Sequence, residues 1–249
     1  MVGFFRIKNE KRSRKTMSTK LFSKLKLTFA AALTILLLNG CKEDAVQPGA
    51  DSDNLDFSAV SSSSVTSSSA IILEINVVKV LIKDIKLNVS GSNENTVNYK
   101  TGPLVLNLDF KNNVNFVSSA YIAAGTYDRV KFEIHKLSDN EPAPDPEFID
   151  ASGRYSIIVK GRVNGASFVF KSSMSSHQIV AFQNSLVVTA QGKSNITLQA
   201  NPYIWFVKAG LFIDPLDEAN RTDIELNIKN NINNNIRVFV DNDMNGQPD

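Results

Sequence analysis

Between Leu104 and Phe110 apolar and polar residues alternate strictly: Leu104, Leu106, Leu108 and Phe110 are separated by Val105, Asn107 and Asp109. Side chains of an extended chain point to opposite faces at successive residues, so this spacing predicts a strand with one face buried. The same period recurs at Ile71, Leu73, Ile75 and Val77, at Leu81, Ile85, Leu87 and Val89, and at Val130, Phe132 and Ile134. It returns at Tyr155, Ile157 and Val159, and at Ile196 and Leu198. Short strands at such spacing predict an all-β fold, an antiparallel sandwich or barrel. Asn164-Gly165, between "RYSIIVKGRV" and "ASFVFKS", adds a hairpin, because a type I′ turn needs positive φ at both central residues. Ile224, Ile228, Ile232 and Ile236 recur every four residues and predict one short C-terminal helix, despite asparagines between them that form helices poorly. Residues 137–153, with three prolines, read as a long excursion between strands.

The formal charge of +2 conceals two unlike parts. Residues 1–40 hold nine Lys and Arg and one acidic residue, leaving 18 basic against 24 acidic groups, a net of −6, from Cys41 onward. A chain of that sign has no field to recruit nucleic acid. The basic segment runs from Lys20, Lys24 and Lys26 into twelve mostly apolar residues, Leu27 to Leu38. A bilayer-crossing helix needs about 20 such residues, so this is an export signal, with Met17 an alternative start. Four parts are expected: a signal peptide at 1–40, Cys41 with a Ser-rich linker at 41–69, a β-sandwich domain at 70–240 and an Asp/Asn/Gly-rich tail at 241–249. Residues 42–69, ending in "SAVSSSSVTSSSA", carry few bulky apolar groups and predict a tether. As a flexible coil it would span roughly 30 Å.

Leu38-Asn39-Gly40-Cys41 resembles the lipobox of bacterial lipoproteins. That resemblance implies cleavage before Cys41, recognition through Leu38, Asn39 and Gly40, and lipidation of the cysteine. Asn39 departs from the small or aliphatic residue usual at its position. Lys42-Glu43-Asp44 resembles the Lys-plus-two-acids signal that sends some Gram-negative lipoproteins to the outer face of the outer membrane; an ordinary linker start is the alternative. Since Cys41 is the only cysteine, the chain can form no internal disulfide.

Four stretches, "YIAAGTYDRVKFEIHK", "SIIVKGRVNGASFVF", "NPYIWFVKAGLFIDP" and "VFVDNDMNG", are similar to the bacterial lipoprotein domain of unknown function 4382 (DUF4382) over residues 70–246. The resemblance implies a transthyretin-like or immunoglobulin-like β-sandwich without an established activity. Gly125, in the first stretch, is expected at a tight strand start that has no room for a Cβ.

No G-x-S-x-G, H-E-x-x-H, P-loop or C-x-x-C pattern occurs. His135 and His177 stand 42 residues apart with no motif around either. In "DNDMNGQPD", Asp241, Asp243, Asn245 and Asp249 match positions 1, 3, 5 and 9 of an oxygen-ligand calcium loop, and Gly246 matches its turn position. The acid at position 12 has no counterpart. An Asx- and Gly-rich terminal turn is the other reading. Tyr203 and Trp205 admit carbohydrate stacking or, more simply, core packing. Asp214, Asp217, Glu218 and Asp223 read as a solvated acidic loop. The functional expectation is a non-catalytic, lipid-anchored envelope module binding a glycan, surface polymer or protein partner. The alternatives are a hydrolase with an unrecognised carboxylate site and a calcium-stabilised structural subunit.

Overall fold

A computed structural model describes residues 53–62, 71–92, 95–108, 110 and 113–249. The leader, the lipobox with Cys41, the Lys42-Glu43-Asp44 triplet and the serine run at 63–69 lie outside the described residues. Fourteen strands, one α-helix and three short 3-10 turns are present among them, the strands and helix being β1 (Leu55–Ser61), β2 (Leu73–Val89), β3 (Thr96–Leu108), β4 (Asn115–Ala120), β5 (Gly125–Ile134), β6 (Ile149–Asp150), β7 (Gly153–Arg154), β8 (Ile157–Val163), β9 (Ala166–Ser172), β10 (Ser176–Val188), β11 (Ser194–Ala200), β12 (Val207–Lys208), β13 (Leu211–Phe212), α1 (Arg221–Asn235) and β14 (Arg237–Val240). They build the expected all-β, sandwich-like fold. A four-stranded sheet, β14-β11-β1-β4, lies against a six-stranded sheet, β10-β5-β2-β8-β9, whose strand β2 also pairs with β3. Leu55, Phe57 and Ala59 from β1 and Ile196 and Leu198 from β11 join Val80, Ile82, Val130 and Phe132 of the other sheet in one buried cluster.

The antiparallel expectation fails at one pair. β1 runs parallel to β11, Leu55 opposite Ser194 through Ser61 opposite Ala200. This strand also corrects the tether. Residues 55–61, expected in a flexible linker, are buried along their whole length in the middle of a sheet. Alternation does not reveal β1, because the four-stranded sheet is covered on both faces: Asp56 and Ser58, opposite the core side, are buried as well. The tail at 241–249 is likewise folded onto β11 rather than separate from the domain.

The two alternating runs between residues 71 and 89 form the single strand β2. Its pairing shifts register between Ile75 and Val77 and between Ile82 and Ile85. Each bulge moves the inward set by one residue, from Ile75 to Val78, Val80 and Ile82 and then to Ile85 and Leu87. One edge of β2 is shared end to end, since Leu73–Val80 pair with β8 and Ile82–Val89 with β5. At that fork Leu81 turns to the outer side and packs with Leu137, Phe148 and Ile158 under the proline-rich excursion.

The Asn164-Gly165 hairpin forms as expected, with φ of 49° and 85° and Val163 opposite Ala166. Helix α1 also forms, burying Ile224, Ile228 and Ile232, but it stops at Asn235 and leaves Ile236, the fourth of the expected repeat, in extended backbone leading into β14. Its asparagines work as ties. Asn227 donates to the carbonyls of Trp205 (3.2 Å) and Val207 (2.6 Å), while Asn233 Oδ1 accepts from Ser176 (2.8 Å) and Gln178 (2.6 Å) of β10. Among the described residues no helix is long and apolar enough to cross a membrane.

Candidate functional site at the C-terminal loop

The outer face of the four-stranded sheet carries a buried polar chain instead of apolar side chains. Ser58 on β1 donates to Asn195 Oδ1 (2.8 Å). Asn195 donates through Nδ2 to Thr197 Oγ1 (3.0 Å) and to the Asp241 carbonyl (2.8 Å). Thr197 in turn donates to Asp241 Oδ2 (2.7 Å). Ser58, Thr197 and Asp241 are fully buried. Groups removed from water this completely must satisfy one another, and the chain of bonds fixes where β14 hands over to the loop.

From Asp241 the backbone curls around its own carboxylate. Asp241 Oδ1 accepts from the Asn245 N–H (2.9 Å) and Oδ2 from the Gly246 N–H (3.1 Å). That curl requires left-handed backbone at Met244 (φ 55°) and Gly246 (φ 80°), and at the second position glycine removes the steric cost. Asn245 donates to Asp243 Oδ2 (2.8 Å), and Asn242 donates to Asp249 Oδ2 from its backbone (2.8 Å) and its amide (2.7 Å). One carboxylate oxygen from each of Asp241, Asp243 and Asp249 lies within 4.8 Å of the other two. None of the ion pairs among the described residues involves them.

The structure therefore brings together three expected ligands, with Asn245 alongside through its bond to Asp243. Each carboxylate oxygen has two lone pairs; with three donors bound, Asp241 keeps one free on Oδ1. The donor set is all oxygen, which suits a hard cation such as calcium and not a thiolate- or imidazole-seeking metal. Beside the loop, β10, β14 and Gln247 border a cleft of about 460 Å³ whose polar side chains are Gln183, Gln199, Arg237 and Gln247.

The other candidates part company. Trp205 is 3% exposed in the core, which removes it from any stacking surface. Tyr203 is half-buried and meets Phe110 edge-on at 6.1 Å. The acidic group around 214–223 is structural: Asp217 caps a 3-10 turn through the Ala219 N–H (3.0 Å), and Asp223 pairs with Lys208 (2.6 Å). His177 lies 3.7 Å from Glu133 on the outer face of the large sheet, and His135 contacts the neighbouring Lys136 carbonyl.

Sequence reasoning missed an ionic clamp. Lys79 (β2) reaches Asp145 (2.6 Å) and Glu147 (3.2 Å), Lys160 (β8) reaches Glu147 (2.7 Å), and Lys171 (β9) reaches Asp150 (2.7 Å). The Lys79 ammonium holds the Asp145 carboxyl below its ordinary range, and Lys160 followed by Lys79 does the same for Glu147. The Lys171 bond, reinforced by the Ser152 N–H, pulls Asp150 down to about 2. Single lysines on β2, β8 and β9 are unremarkable in sequence; only strand pairing, with Lys79 opposite Ile158 and Ile158 opposite Lys171, aligns them under one loop. No protein-family model matches the chain, and neither a curated protein nor a solved structure is detectably similar to it.

Proposed function

We propose that the chain is a non-catalytic, lipid-anchored component of the Gram-negative cell envelope, held at the outer membrane through Cys41, whose β-sandwich is a binding or structural module closed by a calcium-holding C-terminal loop. The observation that carries the calcium part is the convergence of Asp241, Asp243 and Asp249 within 4.8 Å. Three carboxylates at that spacing repel one another, and a divalent cation at their centre would convert the repulsion into a cross-link between the loop and β11. The basic, apolar and lipobox-like segments before Cys41 support the anchoring. The polar cleft beside the loop offers amide and guanidinium donors to a glycan or an envelope protein.

Thermal melting with calcium and with a chelator tests the loop. At a calcium concentration a hundredfold above Kd the stabilisation is about 2.7 kcal/mol, a rise of roughly 5–10 °C for a domain of this size. Asp243→Ala is the informative variant: Asp243 is exposed and its bonds are confined to the loop, so the fold survives while the calcium shift disappears. An equal shift in the variant, or none in the parent, refutes the site.

A further inference from the structure

β1 precedes every other described strand and yet occupies the interior of its sheet, between β11 and β4. Nothing local holds it there. β2, next in the chain, belongs to the other sheet, and the bond from Ser58 to Asn195 joins residues 137 positions apart. Residues 62–72, eleven in number, connect β1 to β2 and can reach about 36–40 Å when extended.

The groove that receives β1 reads its sequence on both faces. Leu55, Phe57 and Ala59 enter the core. On the other face Lys193 pairs with Asp56 (2.9 Å), and Ser58 bonds Asn195. At the mouth, Asn54 accepts from the Ile122 N–H (2.8 Å) and donates to the carbonyls of Ile122 (2.9 Å) and Thr189 (3.0 Å). A segment entering this groove must set apolar residues against the core and polar ones against the other face in the same register.

We propose that the β4–β11 groove is also a docking site for β1 of a second copy of the chain, giving strand-exchanged assemblies. An exchanged strand makes the same contacts as the chain's own, so chain concentration sets the balance between the two states. Backbone ladders on both edges supply the attraction, as in other strand-addition complexes, and Asn54 and Ser58, with Leu55, Phe57 and Ala59 on the core side, set the register. The inference stands independently of calcium and of the lipid anchor.

Asp56 and Ser119 are partners across the antiparallel β1–β4 pair, a separation of about 4.5–5.5 Å that a disulfide can bridge. In chains carrying Cys41→Ser, Asp56→Cys is placed in one chain and Ser119→Cys in another, and the two are refolded together and oxidised. Exchange yields a disulfide-linked heterodimer whose ratio to monomer rises about tenfold for a tenfold increase in concentration while dimer is scarce. A control mixture with Ser167→Cys in place of Ser119→Cys yields none. The double variant Asp56→Cys/Ser119→Cys must close its own disulfide at high dilution. Internal closure without any heterodimer overturns the proposal, as does a heterodimer equally abundant in the control. Failure of internal closure overturns it too, since β1 would then not occupy the groove.

Discussion

Gly161 and Gly125 separate what a residue looks like in sequence from what its surroundings demand. Gly125, expected to have no room for a Cβ, has ordinary clearance, its nearest neighbour being the Tyr127 hydroxyl at 3.7 Å. Gly161, which sits inside β8 without any sequence signal of its own, is the crowded one: a Cβ there would lie 2.1 Å from the Glu74 carbonyl and 2.8 Å from the Phe168 ring. Gly161 faces Ile75 on β2 and Phe168 on β9, where β2 bulges, so the backbone on one side cannot give way cheaply. Gly161→Ala is expected to lower stability by about 3 kcal/mol, at the upper end of the usual cost of overpacking, whereas Gly125→Ala should cost under about 1 kcal/mol. Denaturant midpoints of the two variants check this directly. The side chains of the terminal loop were legible because Asp, Asn and Gly at alternate positions carry their chemistry in the spacing itself; the Thr197 hydroxyl that fixes Asp241 was not, because strand pairing alone places it there.

Single strands and loops show the same division. Strands that bury one face announced themselves by alternation, and the type I′ hairpin by its two residues. β10 did not, because its inward positions Ser176 and Gln178 are polar and bonded to Asn233, while Ile179 and Val187 face solvent. The excursion from Leu137 to Arg154 was legible as a loop but not as a packed strap. Its apolar underside is Leu137 and Phe148, and the charges facing it are Lys79, Lys160 and Lys171 from three adjacent strands, with Arg154 and Tyr155 beside them. Because Asp145, Glu147 and Asp150 all titrate below their ordinary values, their bonds stabilise the fold fully above those values and lose that contribution as pH falls. The window runs from the ordinary Glu value of 4.5 down to about 2, where Asp150 titrates. Amide NMR signals of residues 138–154 should therefore move between pH 5 and pH 2 before those of β11 do, and simultaneous loss of both sets would refute an independently held strap.

For the whole molecule, the position of β1 shortens the distance over which the domain can stand from its attachment. Eleven residues separate Cys41 from Asp53, a covalent reach of at most about 40 Å, in place of the longer tether expected of residues 42–69. Acylation of Cys41 is checked by labelling: Cys41→Ala should leave an uncleaved precursor that takes up no radiolabelled palmitate, and processing like that of the parent would remove the anchor from the proposal. Composition gave no warning of β1, since its serines and Asp56 read as tether until the cover over the outer face of its sheet is known. Its placement also has a mechanical side. If Cys41 anchors the chain as proposed, any pull on the domain is borne by its first strand. A strand at the rim of a sheet would peel away bond after bond. β1 is gripped along both edges by ladders of opposite polarity, so under the proposed anchoring a pull along the chain has to break two ladders at once.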